Sequence, residues 1–185
     1  MQRKFHKFAI VMKTSITIRR STTEDIPDIL RIFESARKYM RLNNNHKQWN
    51  DSYPGENDIL NDISERNSYV GIDAEGELIM TFSFILGEDP TYRNIYGGNW
   101  LNDERYGTIH RIASNGKTGG ILNSACEFCL QKIDNIRIDT HEDNIPMLRA
   151  LENLGFIRCG IINCRDGSPR IAFQKIKEGI MPVGG

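Results

Sequence analysis

The sequence predicts an α+β domain in which helices flank a mixed sheet, and three observations carry that prediction. The chain has 185 residues, enough for one domain with a real core and leaving little room for two. Its 39% hydrophobic and 26% charged residues are the balance of a globular chain rather than a disordered one. The hydrophobic period then switches back and forth between helix and strand in the order βααβββαβαββ, without internal repeats or linkers.

Residues 14–19 are short and β-rich. Ser21, Thr22 and Thr23 precede Glu24 and Asp25, an N-terminal helix signal of the capping-box type. Ile26, Ile29, Leu30, Phe33, Ala36, Tyr39 and Met40 follow at helical spacing and predict a helix over 23–42, which the run Asn43-Asn44-Asn45 stops. A loop with Trp49, Tyr53, Pro54 and Gly55 leads to a shorter helix near 57–66. The period then becomes two: 68–73 and 77–86 read as strands of a hairpin joined at Ala74-Glu75-Gly76. The stretch 88–104 is irregular and holds Tyr92, Tyr96, Gly97, Gly98 and Trp100; a loop of that length is more often functional than idle. Strand 106–114, a glycine turn over 115–120 and helix 121–132 come next. Strand 136–140 follows, then helix 145–154 with Gly155 just past its end. Strands 156–162 and 170–176, joined by the turn Arg165-Asp166-Gly167, close the chain.

Composition excludes several classes. Lysine plus arginine (24) equals aspartate plus glutamate (24), so no net field recruits nucleic acid or an acidic membrane. No apolar run approaches the ~20 residues needed to cross a bilayer. Residues 1–13 are basic, with Arg3, Lys4, Lys7 and Lys13, but the apolar stretch from Phe8 to Met12 is short for a secretory signal; they read as an extension ahead of a domain over 14–178, with Met12 as an alternative start. Four cysteines do not make a disulfide framework in a chain of this size, and the protein is expected to be cytoplasmic. Cys126 and Cys129 form a CxxC, yet they share a helical face with Leu122, Ala125 and Leu130, so core packing is expected rather than a metal.

The segment IHRIASNGKTGGILNSACEFC carries the most information. A strand runs into Asn115-Gly116-Lys117-Thr118-Gly119-Gly120 and a helix begins at once. Glycines let backbone N–H groups approach an anion, and the helix N-terminus adds its positive dipole end, so the turn is a phosphate or pyrophosphate seat. A P-loop would need a glycine where Arg111 stands, so that motif is incomplete, and a dinucleotide GxGxxG is absent.

Downstream comes IRIDTHEDNIPMLRALENLGF. Strand, glycine turn and helix followed by strand, D-x-H-x-D-N, helix and Gly-Phe resemble the GNAT superfamily of N-acetyltransferases, from Ile16 to Ile176. The resemblance implies a mostly antiparallel central sheet with one parallel pair of strands that splays open, flanked by helices. It also implies acetyl-CoA as acyl donor, no metal, and an amine acceptor, either a small molecule or a peptide, with neither nucleic acid nor membrane as partner; a homodimer stays open. The turn from Asn115 to Gly120 would wrap the pyrophosphate, with Lys117 available to a phosphate. Ile112 and Ala113 would offer backbone groups to the thioester arm, and Asn144 would contact the cofactor at the splay. The turn departs from the family pattern [QR]-x-x-G-x-[GA] in either register. The tyrosine that many members use to protonate the departing thiolate is Leu151 here.

The implied reaction is direct attack of an amine on a thioester, which needs a base and an oxyanion donor. Two residues are candidates for catalysis: His110, on the strand leading into the turn, and Asp139, at the end of the next strand. His141 reads as loop organisation and Asp143 as a helix N-cap. Trp49, Tyr53 and Trp100 are candidate walls of the acceptor site, with Tyr96 beside them, and Glu88, Asp89, Asp103 and Glu104 could hold an ammonium group. The competing reading is a CoA-binding sensor or interaction module that keeps the fold without catalysis.

Overall fold

The computed structural model of the protein describes residues 16–177, so the expected extension at 1–13 lies outside the described residues. Strand β1 (Thr17–Arg20) is followed by a 3₁₀ turn, Thr23–Asp25, and helix α1 (Ile26–Leu42). The helix expected over 23–42 therefore begins with a tighter turn. The Asp25 carboxylate accepts the Thr22 N–H at 2.7 Å and is bridged by the Arg19 guanidinium at 2.8 and 2.7 Å, which ties β1 to the helix start. At the far end Asn44 is left-handed (φ 60), and the Asn45 N–H closes on the Met40 carbonyl at 2.9 Å. Helix α2 (Glu56–Ser64) ends in the same way at Arg66 (φ 59), with the Asn67 N–H on the Asp62 carbonyl at 2.8 Å.

Strands β2 (Ser68–Ile72) and β3 (Leu78–Leu86) form the expected hairpin, and β4 (Gly107–Ser114) follows the irregular loop. Helix α3 (Ile121–Leu130), strand β5 (Asn135–Thr140), helix α4 (Ile145–Asn153) and strands β6 (Ile157–Asn163) and β7 (Pro169–Ile176) complete the order read from the sequence. The seven strands make one open sheet in the order β1-β2-β3-β4-β5-β7-β6. Every neighbouring pair is antiparallel except β4 and β5.

The parallel pair is short. Its register runs Gly107↔Ile136, Thr108↔Arg137 and Ile109↔Ile138 and goes no further, although both strands continue. The cause lies on the other edge of β4. Thr81 pairs Ala113 and Ser83 pairs His110, so Arg111 and Ile112 together oppose Phe82 alone. Such a bulge bends the strand that carries it. The strands part, and His110 and Asp139 are the first residues beyond the last pairing.

Helices α3 and α4 bury Ala125, Cys126, Cys129 and Leu151 against one face of the sheet, with Ile109, Ile136, Ile138 and Phe173. Burial pushes the Cys126 thiol up to about 12 and raises Cys129 as well, so both are inert core residues at neutral pH. Helices α1 and α2 cover the opposite face around Ile29, Phe33, Ile59, Val70 and Ala113. A third cluster, Tyr92, Tyr106, Ile162 and Ala172, seats the 88–104 loop on that second face against β6 and β7. No helix among the described residues is long and apolar enough to cross a membrane.

Candidate active site

The splay opens on both faces of the sheet. Between the C-terminal half of α1 on one side and α3 and α4 on the other it forms a groove of about 710 Å³, to which α1 contributes Ser35, Ala36, Tyr39 and Met40. One wall is the end of β4, from Ile112 to Ser114, running into Asn115, Gly116, Thr118 and Gly120; the other is the start of α4, with Asn144, Pro146 and Met147. Asn115 donates its N–H to the Ile79 carbonyl at 3.0 Å and Ser114 pairs with Met80. By the alternation of an antiparallel ladder, Ser114 then turns its N–H and carbonyl to the open edge, whereas Ala113 turns its own toward β3. At the end of the wall Gly116 (φ 77) and Gly120 (φ 76) are left-handed, and a Cβ on either would meet nothing within 4 Å. The turn is thus open to a ligand, and Gly120 is the N-cap of α3, where free N–H groups face outward.

Six of the residues expected at the cofactor, Ile112, Ala113, Asn115, Gly116, Thr118 and Gly120, line this groove, and Asn144 lines it from across the splay. Lys117 and Gly119 do not. The Lys117 ammonium lies 2.6 Å from the Glu77 carboxylate on the β2–β3 hairpin, where both side chains are exposed. An exposed pair of this kind is worth about 0–1 kcal/mol, so Lys117 can turn to an anion at little cost. Asn144, not Asp143, is the N-cap of α4: its Oδ1 accepts the Met147 N–H at 3.3 Å. Asp143 instead donates its backbone N–H to His141 Nδ1 at 3.1 Å.

On the opposite side of the splay the side chains are polar and paired. His110 Nε2 donates to Asp89 Oδ2 at 2.8 Å, since a carboxylate can only accept. Burial works to raise the Asp89 carboxyl, but hydrogen bonds from His110 and Thr91 and the His110 charge hold it well below the usual carboxylate range. Tyr92 stands between the two candidate catalytic residues. Its ring packs edge-on to His110 with centroids 5.7 Å apart, and its hydroxyl donates to Asp139 Oδ1 at 2.5 Å. Burial and the Asp139 charge push the Tyr92 phenol well above its ordinary value, so it acts as a fixed donor. The Arg170 guanidinium lies 4.0 Å from Asp139 on its far side. His110 and Asp139 are therefore joined through one buried tyrosine. No local sequence pattern sets Tyr92 apart from the other aromatics of its loop.

The structure places the candidate acceptor walls in different surroundings. Trp49 is buried in the core, edge-on to Phe33 at 5.4 Å, because the loop after α1 folds back onto that helix. Trp100 stacks on Tyr92 at 5.6 Å and on its other side carries the Arg137 guanidinium at 3.9 Å, which also lies over Tyr106 at 3.8 Å. That sandwich fastens the 88–104 loop to β5 and leaves Trp100 in a packing role. Tyr53 is the exposed member; its hydroxyl faces Arg111 Nη1 at 3.4 Å. Tyr96, also exposed, bridges β6 at Ile161. Asp89 is taken by His110, and Glu88 pairs with Arg93 at the surface.

Gln48, which no local pattern marks, joins the two sides. Its Oε1 accepts from Asn45 Nδ2 at 3.0 Å, Thr140 Oγ1 at 3.2 Å and Asn144 Nδ2 at 2.9 Å. Its backbone carbonyl accepts from Arg170 at 3.2 Å. The loop after α1 is thereby bolted to the end of β5 and the cap of α4. Among the described residues no group of His, Cys, Asp and Glu side chains is arranged to hold a metal ion.

This geometry can be set beside that of known proteins. An acetyltransferase of the GNAT family from Streptococcus agalactiae is 37% identical over 89% of this chain and 96% of its own, with a TM-score of 0.77. The chain belongs to the GNAT family. Its fold extends to more distant members. A GNAT-family acetyltransferase from Listeria monocytogenes superposes with a TM-score of 0.65 at 17% identity, covering 87% of this chain and 94% of that one. The ribosomal-protein-S18-alanine N-acetyltransferase of Escherichia coli superposes with a TM-score of 0.57 at 14% identity, covering 92% and 100%. No protein-family model and no curated protein matches the sequence. As a GNAT member the chain is an acetyltransferase, and the position of many members' thiolate-protonating tyrosine holds Leu151, buried at the back of α4 in the core.

Proposed function

We propose that the protein is an acetyl-CoA-dependent N-acetyltransferase in which an amine attacks the acetyl thioester directly at the β4–β5 splay. The observation that carries this reading is the groove itself: an open strand edge at Ser114 continuing into a glycine turn at the N-terminus of α3. The residues fit an elongated ligand with a phosphate end, because the turn leaves room beside Gly116 and Gly120 and Lys117 is at hand. Bound there, acetyl-CoA supplies an activated acyl carbon and a leaving thiolate. The thiolate leaves readily near neutral pH, since a thiol pKa is about 8.5 by analogy with cysteine.

The chain's own side chains would manage the proton. An attacking ammonium must become an amine, and His110 is the imidazole on the acceptor side that would accept its proton; Asp89 fixes its orientation. Asp139, held by Tyr92 and Arg170, orders the second edge of the opening. Backbone N–H groups at the open edge of β4, around Ile112 and Ser114, would face the oxygen that gains charge. The acceptor is a small-molecule or peptide amine entering past Tyr53, and the unpaired cysteines suit a reducing compartment such as the cytoplasm.

A second reading, a CoA-binding sensor of the same fold, is favoured by one feature: a buried leucine, Leu151, stands at the position of many members' thiolate-protonating tyrosine. One experiment separates them. Acetyl-CoA is titrated calorimetrically with ATP–Mg²⁺ as control, and thiol release is then followed over a panel of amines. Micromolar binding with turnover supports the enzyme, binding without turnover supports the sensor, and no binding removes both.

A further inference from the structure

Among the described residues three that are not glycine have a left-handed backbone: Asn44, Arg66 and Arg111. The first two sit just past the ends of α1 and α2, where helices commonly finish in that conformation. Arg111 (φ 52) has no such excuse, since it lies in the middle of β4, at the bulge that opens the splay. A residue with a Cβ holds that conformation only where its surroundings over-determine it.

The surroundings here are chiefly one carboxylate, with the Tyr53 hydroxyl accepting from Nη1 at 3.4 Å beside it. Arg111 Nε donates to Asp62 Oδ2 at 2.9 Å and Nη2 to Asp62 Oδ1 at 2.5 Å, with the side chains only 17% and 10% exposed. A two-pronged pair fixes the guanidinium's plane as well as its distance. Asp62 is itself held in place. Its carbonyl takes the Asn67 N–H at 2.8 Å, and the Asn67 carbonyl takes the Phe84 N–H of β3 at 2.8 Å. A closed circuit thus runs from β3 through the end of α2 to Arg111 and back to the bulge opposite Phe82. Buried ion pairs add little net stability as a rule, so a pair placed on the one strained strand residue is better explained by position. His110 precedes that residue and the groove wall at Ile112 follows it.

We propose that Asp62 is a positioning residue for acetyl transfer: through Arg111 it holds the β4 bulge that aims His110 and the edge from Ile112 to Ser114 at the splay. The inference rests on the acetyltransferase reading above. Its test uses the fact that glycine adopts a left-handed backbone without help, whereas alanine does not. Asp62→Asn should lower kcat about tenfold while acetyl-CoA affinity changes less than about threefold, a loss confined to the transition state. The double variant Asp62→Asn/Arg111→Gly should recover to within about threefold of the parent, and Asp62→Asn/Arg111→Ala should stay low, because only the glycine keeps the bulge unaided. A glycine double variant no better than the alanine one overturns the proposal, and so does full turnover in Asp62→Asn. The same comparison is read without activity from the backbone amide NMR shifts of Ile112 and Ser114. These should match the parent in the glycine variant and depart from it in the alanine variant; the reverse pattern overturns the proposal. A parent that releases no thiol with any amine would overturn the acetyltransferase reading instead, and the amide shifts would still decide the role of Asp62.

Discussion

The groove side of the splay is lined largely by backbone and by small or apolar side chains: the end of β4 from Ile112 to Ser114, the turn at Gly116 and Gly120, Ala36 and Met40 of α1, and Pro146 and Met147 of α4. Across the same opening stand His110, Asp89, Tyr92, Asp139 and Arg170, each already engaged by another. The contrast shows one sheet defect framed in two ways. The groove keeps its polar groups on the main chain, where they are oriented by the strand and the helix start and cost no side-chain entropy on binding. The opposite side uses side chains, which would be mobile alone and are fixed by pairing in a partly buried setting.

Substitutions can break this comparison. The largest effect is expected at the turn. Gly120→Val places a β-branched residue at φ 76, within the anion seat, and should weaken acetyl-CoA binding about a hundredfold or more by calorimetry. Gly119→Ala, at an ordinary φ with open space around it, should stay within about threefold. Equal losses at both positions would mean that the turn's conformation is not what binds.

On the side-chain face, His110→Gln keeps a donor for Asp89 but cannot carry a proton. It should reduce kcat by about a hundredfold, with acetyl-CoA affinity little changed. Undiminished turnover would return His110 to an architectural role. Asp89 makes a pH test of the same face. Its folded carboxyl titrates below the unfolded value of 3.8, so its stabilising contribution is complete above that pH and is lost as pH falls toward the folded value. Denaturant melts of the parent and Asp89→Asn should therefore differ above pH 3.8 and converge as pH falls below it. The smallest effect is expected at Asn144→Ala, which removes the α4 cap and the bond to Gln48. It should cost about 1 kcal/mol, seen as a drop of roughly 2–4 °C in Tm.

The local features of this site were legible in the sequence and the long-range ones were not. The glycine turn, the start of α3 and the segment ending LENLGF depend on backbone conformations set by neighbouring residues, and they form where expected. Aromatics in loops gave a weaker signal. Trp49 and Tyr53 lie on one loop, yet one is buried against Phe33 and the other faces Arg111, because only the fold decides which side of a loop meets the core. The bulge at Arg111 left no local mark, since arginine is ordinary in a strand.

The sequence by itself determined the order and type of the elements, the fold class and the place of the glycine turn before α3, because periodicity, caps and glycine turns act over a few residues. Only the tertiary structure decided that Tyr92 would join His110 to Asp139, that Gln48 would fasten the loop after α1 to α4, and that Asp62 would grip Arg111. Each of those contacts spans a long stretch of chain, 47, 96 and 49 positions. A polar side chain chooses its partner from whatever the packed sheet and helices bring within about 3 Å, and no local pattern encodes that distance.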